Sequence, residues 1–407
     1  MNCRHCGQPL TLPFVDLGFA PPSNAYLSAD DLTRPERYYP LKLFVCTDCW
    51  LVQTEDYASR EALFDADYAY FSSVSQSWLA HARRYVTSIT EDLSLGTDSF
   101  VVEVASNDGY LLRNFVAAGV PCLGIEPTAS TAAAAEALGV PVLREFFGAG
   151  LARTLSERGQ CADLIIGNNV FAHVPDVNDF TLGLKVALKP GGTTTLEFPH
   201  LVRLIEEGQF DTVYHEHFSY FSLYAVERIF AKAGLRVYRV EQLKTHGGSL
   251  RVYGCHIDDA RADDASVVRI RALESECGIT RPTTYQGFQS RVNTTKNSLL
   301  RFLIDSKEAG VVVAAYGAAA KGNTLLNYAG VKPDLLPFVC DFAPSKQGKF
   351  MPGSHIPIVS PAELSRVKPD VVLILPWNIS DEIIAQQSAV LGKETRFAVA
   401  LPEVRYL

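Results

Sequence analysis

The chain has 407 residues, more than one hydrophobic core usually supports, so two or three domains are expected. Hydrophobic residues make up 47% of the chain and charged residues 20%, which is typical of a globular protein and argues against a disordered one. The net charge of -8 argues against nucleic acid or an anionic membrane as a partner, and no apolar run is long enough to span a bilayer.

The first part of the chain, residues 1–75, is predicted to be a loop-rich zinc module with two cysteine pairs, Cys3 with Cys6 and Cys46 with Cys49. A turn of this spacing directs two thiolates to one centre, and two such turns complete a tetrahedron around zinc. Because four thiolates leave no position open on the metal, the predicted site is structural. The alternative is four unrelated free cysteines. A chain that opens on polar, cysteine-bearing residues instead of a signal peptide is expected in the cytoplasm.

Residues 76–258 alternate between strand and helix patterns. Short apolar runs predict strands at 100–104, 122–126 and 163–167. The segments beside them predict helices at 77–93, 109–118 and 129–138. This alternation is typical of a doubly wound parallel sheet, so a Rossmann-like α/β domain is predicted here.

The loop after the first of these strands carries a predicted cofactor site. Glu103, Ser106, Asn107 and Gly109 lie where the strand ends and a helix begins, so main-chain amides and small side chains can meet a polar ligand. Glu126, at the end of the second strand, can accept both hydroxyls of a ribose. The glycine pattern of NAD-binding loops is absent, and the loop instead resembles a variant of motif I of class I methyltransferases, which bind S-adenosylmethionine. A generic α/β loop is the alternative.

Two later features favour the same cofactor. Asn168 and Asn169 follow the strand at 163–167, and we expect them to contact the cofactor as well. The Lys-Pro-Gly-Gly turn at 189–192 is a frequent late feature of this fold. S-adenosylmethionine and structural zinc are therefore the two predicted cofactors.

The segment 214–222 is the richest polar and aromatic cluster of the chain. Methyl transfer to carbon requires removal of a proton next to a carbonyl, and a histidine has a suitable pKa for that task. We predict His217 as the base, Tyr214 and Glu216 as groups that position substrate or hold the enolate oxygen, and His173 as a second polar group. Strand-like alternation would place Tyr214 and Glu216 on one side of the segment and His217 on the other. A structural cluster at a domain boundary is the alternative.

Residues 259–407 are predicted to form a helical connector, at 260–308, and a second, smaller Rossmann-like domain with strands at 311–316, 336–341 and 371–375. A loop of small residues with one lysine follows the first of these strands, which suits a phosphate or pyrophosphate; a plain turn without ligand is the alternative. The predicted substrate-binding residues are Tyr68, Tyr70, Gly317, Lys321, Trp377 and Asn378. Packing in a core is an equal alternative for the two tyrosines.

These pieces, in this order, resemble the sugar C-methyltransferases of deoxysugar pathways. The resemblance covers nearly the whole chain and rests on the cysteine pairs and on residues 103–109, 216–218, 246–248, 317–321, 346–357 and 377–378. It implies a three-part fold, with S-adenosylmethionine in the middle domain and a nucleotide-linked sugar between the middle and C-terminal lobes. It also implies that His217 is the base, that Tyr214 positions the substrate, and that the acceptor is a dTDP-linked 4-keto-6-deoxyhexose, methylated at C3 as the most familiar position in the family, with C5 as the alternative. The histidine at 215 leaves the division of labour between His215 and His217 open.

Two other functions compete with this prediction. The same fold could methylate oxygen or nitrogen on a sugar or another small molecule, which needs no carbon acid. A zinc-bearing binding protein with a decayed methyltransferase domain is the second alternative, and the presence of Glu103, Gly109, Glu126 and His217 argues against it. The aromatic residues form no obvious exposed stripe, so a monomer is expected.

Overall fold

The computed structural model describes residues 1–55, 57, 71–392 and 394–407 of the chain. Tyr68 and Tyr70, which are predicted to contact substrate, lie outside these residues. The described residues form three β-sheets with helices packed around them. Among them no helix is both long and apolar enough to cross a membrane.

The elements of the described residues are numbered here in chain order. The strands are β1 Leu12–Ala20, β2 Tyr39–Val45, β3 Val52–Thr54, β4 Val101–Val104, β5 Cys122–Ile125, β6 Val142–Leu143, β7 Ala162–Asn168, β8 Leu188–Pro199, β9 Ser219–Tyr220, β10 Leu235–Leu243, β11 Ser249–His256, β12 Val313–Tyr316, β13 Val339–Cys340, β14 Ile358–Val359, β15 Val371–Ile374, β16 Arg396–Val399 and β17 Arg405–Tyr406. The α-helices are α1 Gln76–Asp92, α2 Leu112–Ala117, α3 Ala129–Ala137, α4 Ala149–Glu157, α5 Val177–Ala187, α6 Leu201–Glu207, α7 Leu223–Ala233, α8 Ala265–Glu276, α9 Pro282–Tyr285, α10 Phe288–Glu308, α11 Ala320–Ala329, α12 Ala362–Val367 and α13 Ser380–Leu391.

The central sheet is the predicted doubly wound one. Its order is β10-β11-β8-β7-β4-β5-β6, and the strands from β8 to β6 are parallel. Strand β4 is buried at every position, as expected for a parallel strand covered on both faces. After β4 the chain adds β5 next to one edge of that strand, and it later adds β7 next to the opposite edge. Open α/β sheets bind ligands at such a switch point, beyond the carboxyl ends of the strands.

The N-terminal zinc module contains a four-stranded antiparallel sheet that the sequence patterns did not predict. Its order is β1-β2-β3-β9, and its last strand comes from the middle of the chain. Val52 pairs with Tyr220 and Gln53 pairs with Ser219. The module therefore continues directly into the segment that carries the predicted base.

The C-terminal sheet has the order β14-β13-β12-β15-β16-β17, parallel except for the last strand, and the predicted second Rossmann-like domain is confirmed. The long connector helix α10 packs between this sheet and the zinc module. Phe14 of β1 stacks on Phe288 of α10 with ring centroids 4.5 Å apart. Both belong to one hydrophobic core that extends to Leu299 and Val313. The three predicted parts thus share cores, and their boundaries at 75 and 258 stay predictions.

Candidate active site

The four predicted zinc ligands converge in the structure. Their sulfur atoms all lie within 4.8 Å of one another, with Cys3 3.5 Å from Cys49 and Cys6 3.4 Å from Cys46. A tetrahedral zinc with Zn–S bonds of about 2.3 Å separates its sulfurs by roughly 3.8 Å, so the thiolates present fit this metal. The Gln53 amide donates a hydrogen bond to the Cys3 sulfur at 3.2 Å, which supports a charged thiolate.

Arg4, inside the first cysteine turn, connects the zinc site to the middle domain. Its guanidinium donates hydrogen bonds to the Pro175 carbonyl at 2.8 Å and to the Thr54 carbonyl at 2.9 Å. The same group lies 5.4 Å from the ring centroid of Phe218, the residue after His217. The cysteine turn at residues 3–6 thereby holds two segments that border the predicted catalytic cluster.

A cavity of about 390 Å³ lies at the carboxyl ends of β4, β5 and β7, closed on the other side by residues of the C-terminal domain. The predicted site residues that line it are Asn107, Glu126, Asn168, Asn169, His173, Tyr214, Glu216, His217, Lys321 and Asn378. The structure thus brings predicted cofactor, catalytic and substrate residues to one space.

The loop after β4 is shaped by Glu126. Its carboxylate accepts hydrogen bonds from the Asn107 amide and from the Thr128 amide, each at 2.9 Å. Gly109, in the same loop, has φ +75°, and an added Cβ at this position would come within 3.1 Å of Ala135. Glycine therefore lets helix α3 approach the loop closely.

Glu103 and Ser106 lie under the loop and not on the cavity wall. Ser106 is completely buried and packs against Gly124 of β5. Glu103 is 1% exposed, and burial raises the pKa of its carboxyl well above the ordinary value. Both residues are therefore part of the buried packing around the loop and do not line the cavity.

Asn168 and Asn169, at the end of β7, present unsatisfied polar atoms to the cavity. Both side-chain polar atoms of Asn168 and the side-chain oxygen of Asn169 are buried and hydrogen-bond to no described residue. Buried polar groups are normally paired, so orphaned ones on a cavity wall indicate the place of a ligand.

His217 has the tautomer that a general base requires. Its Nδ1 lies 3.0 Å from the Thr212 carbonyl, which can only accept, so Nδ1 carries the hydrogen. Nε2 therefore has the lone pair, and it accepts a hydrogen bond from the Tyr214 hydroxyl at 2.7 Å. Burial lowers the pKa of His217 well below its ordinary value, so the ring is neutral near pH 7.

The segment 214–218 is a turn, so the predicted strand-like alternation is wrong. The His217 amide donates to the Tyr214 carbonyl at 2.9 Å, and this hydrogen bond folds the chain back on itself. The rings of the two residues lie 3.9 Å apart between centroids, on the same side of the segment. A three-residue separation brings side chains together in a turn and separates them in a strand.

His215 faces away from the base. Its Nε2 lies 3.2 Å from the Pro40 carbonyl and 3.3 Å from the Tyr39 carbonyl, in strand β2 of the zinc module. The ring also packs against Tyr39, with centroids 5.8 Å apart. His215 therefore contacts the zinc module, whereas His217 lines the cavity.

His173 and Glu216 complete the polar cluster around His217. The Nδ1 of His173 donates to the Glu216 carbonyl at 2.8 Å, and the His173 ring lies 4.7 Å from the His217 ring. Burial lowers the pKa of His173 to about 4. The Glu216 carboxylate accepts a hydrogen bond from the Asn24 amide of the zinc module at 2.6 Å. Burial raises the pKa of Glu216 to about 7.

The raised pKa of Glu216 predicts a pH-dependent stability. The folded state keeps this proton up to about pH 7, whereas the unfolded chain releases it near pH 4.5. Stability from this group is therefore present at low pH and is lost as the pH rises to 7. Urea unfolding of wild type and Glu216→Gln should show the wild-type free energy of unfolding falling by roughly 2–3 kcal/mol, relative to the variant, between pH 4.5 and 8. A constant difference between the two proteins would contradict the raised pKa.

The C-terminal domain contributes a lysine to the cavity wall. Lys321 donates to the Asn378 side-chain oxygen at 2.7 Å and lies 4.8 Å from the Trp377 ring centroid. Burial lowers its pKa. The Trp377 indole N–H donates to the buried Asp211 carboxylate at 2.7 Å, so this ring ties the C-terminal domain to the 210–212 turn. Gly317 packs against Pro376 beside the cavity.

The structure also places residues at the cavity that the sequence patterns did not single out. These are Asn24, Ser72, Trp78, Tyr110, Phe147, His246 and Lys346, among others. A signal existed for His246 and for Lys346, which belong to the 246–248 and 346–357 segments of the resemblance. No local pattern marks Asn24, because its role depends on the zinc module meeting the 214–218 turn.

Comparison with known proteins assigns the family. Residues 3–64 match the family described as "Putative zinc binding domain", residues 78–240 match "Methyltransferase domain", and residues 244–402 match "C-methyltransferase C-terminal domain". The chain is 34% identical to the C-methyltransferase NovU of Streptomyces niveus, over 100% of this chain and 96% of that protein. The chain belongs to this family of C-methyltransferases. The methyltransferase is therefore an S-adenosylmethionine-dependent enzyme of the class I Rossmann-like fold with an N-terminal zinc-binding domain.

Solved structures of other methyltransferases are similar to part of the enzyme. Magnesium protoporphyrin IX methyltransferase from Synechocystis is 14% identical, with a TM-score of 0.33, over 44% of this chain and 80% of that one. The glycopeptide N-methyltransferase MtfA is also 14% identical, with a TM-score of 0.35, over 44% of this chain and 90% of that one. Scores of this size assign neither substrate nor mechanism.

The residues at the carboxyl edge of the central sheet fit S-adenosylmethionine. The Glu126 carboxylate and the Asn107 loop offer partners for ribose hydroxyls, and Asn168 and Asn169 offer unpaired polar atoms. Phe147 adds an apolar wall next to them. A polar nucleoside with an apolar base needs this combination of contacts. The individual cofactor contacts stay predictions.

Proposed function

We propose that the methyltransferase transfers a methyl group to a ring carbon of a nucleotide-linked keto-sugar, a dTDP-linked 4-keto-6-deoxyhexose methylated at C3. The observation that carries this proposal is the neutral, buried His217 on the cavity wall, whose Nε2 has the basic lone pair and accepts a hydrogen bond from the Tyr214 hydroxyl beside the cofactor-binding edge. Carbon methylation needs a base of this kind because a carbon acid must lose its proton first, whereas an amine acceptor does not.

The residues around His217 have complementary tasks in this proposal. His217 takes the proton alpha to the sugar ketone on Nε2, while the Thr212 carbonyl holds the other ring nitrogen and stabilises the imidazolium. Tyr214 and Glu216 orient the sugar and hold the enolate oxygen; Glu216 titrates near pH 7 and can present a carboxylic acid for that purpose. S-adenosylmethionine supplies an activated methyl group on a sulfonium.

A sugar nucleotide suits the side of the cavity formed by the C-terminal domain. Lys321 supplies a cation near the start of helix α11, in a loop of small residues after strand β12. Cations and helix N-termini both favour phosphate groups. The sugar would then lie between Lys321 and His217. We further propose that the substrate is a small molecule, that the enzyme is a monomer and that it works in the cytoplasm.

The test is product analysis. Purified enzyme is incubated with S-adenosylmethionine and a panel of dTDP- and other nucleotide-linked 4-keto-6-deoxysugars, and products are examined by mass spectrometry and NMR. We expect the gain of one methyl group on a ring carbon with loss of the alpha proton. A methyl signal on oxygen or nitrogen would refute the carbon-acid role of His217, and bound cofactor without transfer to any panel member would refute the substrate class.

A further inference from the structure

The imidazole of His246 is a polar group on the cavity wall with no hydrogen-bond partner among the described residues. Its Nδ1 is buried and unpaired, and the ring contacts Trp78 edge-on with centroids 5.2 Å apart. Both residues line the same cavity as His217. A buried imidazole nitrogen without a hydrogen-bond partner is costly unless a ligand completes it.

The backbone holds His246 in a conformation that side-chain-bearing residues seldom adopt. Its φ is +55°, in the left-handed region, which is unfavourable for a residue other than glycine. The next residue, Gly247, has φ +85°, and a Cβ on it would come within 2.2 Å of the Trp377 ring. The C-terminal domain thus packs directly against this loop and keeps it in place. Strain of this kind persists where the surrounding structure imposes it, and it occurs most often at functional sites.

Side chains next to His246 fix the loop from the other side. Thr245 donates to the Glu197 carboxylate at 2.8 Å, and Ser249 donates to the Thr245 carbonyl at 2.9 Å. Glu197 is completely buried and is itself held by Arg251 at 2.6 Å and His81 at 2.9 Å. A buried charge network around Glu197 therefore anchors the loop that carries the unpaired Nδ1 of His246, which is the arrangement of a pre-organised ligand contact.

We propose that His246 is a catalytic residue that donates a hydrogen bond to the ketone oxygen of the acceptor and stabilises the charge that develops there. The proposal rests on the proposed function. When His217 takes the alpha proton, the C–H bond breaks, the proton goes to His217 Nε2, and the electron pair moves into the enolate, leaving negative charge on the former ketone oxygen. A fixed N–H aimed at this oxygen lowers the barrier because it needs no reorganisation during the step.

The surroundings of His246 keep its ring neutral. Burial and, after it, the nearby positive charge of Lys321 lower the pKa of His246 to about 4, while the charge of Glu197 acts in the opposite direction. A neutral imidazole has one N–H, which it can donate in a hydrogen bond. We therefore assign His246 the role of a hydrogen-bond donor and not that of a general acid that transfers a proton. The rings of His246 and His217 line the same cavity.

The test separates proton abstraction from methyl transfer. Wild type and His246→Gly are incubated in D₂O with S-adenosylhomocysteine and a dTDP-linked 4-keto-6-deoxyhexose, and exchange of the alpha hydrogen is followed by NMR. Glycine tolerates the left-handed backbone, so the loop is retained without the imidazole. We expect exchange and kcat for methylation to fall about 10²–10³-fold, the effect of losing one oxyanion donor. The melting temperature and the Kd for S-adenosylmethionine should change little.

A matched control is His355→Gly. His355 also has a left-handed backbone, at φ +57°, but its ring pairs with Glu36 away from the cavity. This variant should exchange and methylate at the wild-type rate. Normal exchange in His246→Gly would overturn the proposal, and normal exchange with weakened S-adenosylmethionine binding would assign His246 to the cofactor instead. If wild type itself neither exchanges nor methylates any sugar nucleotide of the panel, the proposed function fails and this inference fails with it.

Discussion

Replacing His217 with asparagine is expected to lower kcat for carbon methylation by about 10²–10⁴-fold, the range over which general-base catalysis contributes to enzyme rates. Asparagine can keep a hydrogen bond to the Thr212 carbonyl through its amide, but it offers no basic lone pair at the position of Nε2. The kcat for methylation and the rate of alpha-hydrogen exchange should fall together, because both depend on the same proton transfer. S-adenosylmethionine should bind as it does to wild type.

The neighbouring histidine provides the control for this prediction. His215→Asn removes an imidazole only two residues away, but this ring faces the carbonyls of Tyr39 and Pro40 in the zinc module. Its kcat should stay within a few-fold of wild type even where its melting temperature falls. Near-normal turnover in His217→Asn, with loss of turnover in His215→Asn, would reverse the assignment of the two residues.

Loss of zinc should abolish both the fold of the N-terminal module and turnover. Structural zinc sites contribute an apparent ~10–16 kcal/mol at pH 7, more than the total stability of most domains. Cys46 is completely buried in a core shared with the middle domain, so Cys46→Ser leaves three thiolates and a buried hydroxyl where the metal was. We expect the variant to lose zinc, to lose cooperative unfolding of the module and to show no detectable methylation.

Zinc is expected to affect turnover through contacts between the zinc module and the segments that form the active site. The metal-bound turn carries Arg4, whose hydrogen bonds reach Pro175 on the cavity wall, and strand β3 pairs with Ser219 and Tyr220. Zinc content, the melting curve and kcat should be measured on one preparation, with Cys161→Ser, outside the cysteine cluster, as the control. A zinc-free Cys46→Ser protein with the wild-type melting temperature and kcat would show that the metal is dispensable.

Local patterns in the sequence carried much of the architecture. The apolar runs near 101–104, 122–125 and 162–168 became buried parallel strands, because burial on both faces demands continuous apolar residues. The spacing of the cysteines within each pair was enough to predict a metal site, since a short turn allows few arrangements of two thiolates. The polar residues after each strand also met as expected, because parallel strands end at one edge.

What only the tertiary structure decided is how distant segments meet at the site. By itself, the sequence determined the strands, the cysteine pairs and the candidate residues. It did not determine that β9 would join the sheet of the zinc module, that Asn24 would reach Glu216, or that Trp377 would pack against the loop of His246. The turn that joins Tyr214 to His217 was also missed, because a short polar and aromatic run fits either a strand or a turn. The periodicity of apolar residues predicts whether a segment is a helix or a strand. The contacts named above depend on how whole sheets and helices pack against one another, and the sequence of a single segment does not specify that packing.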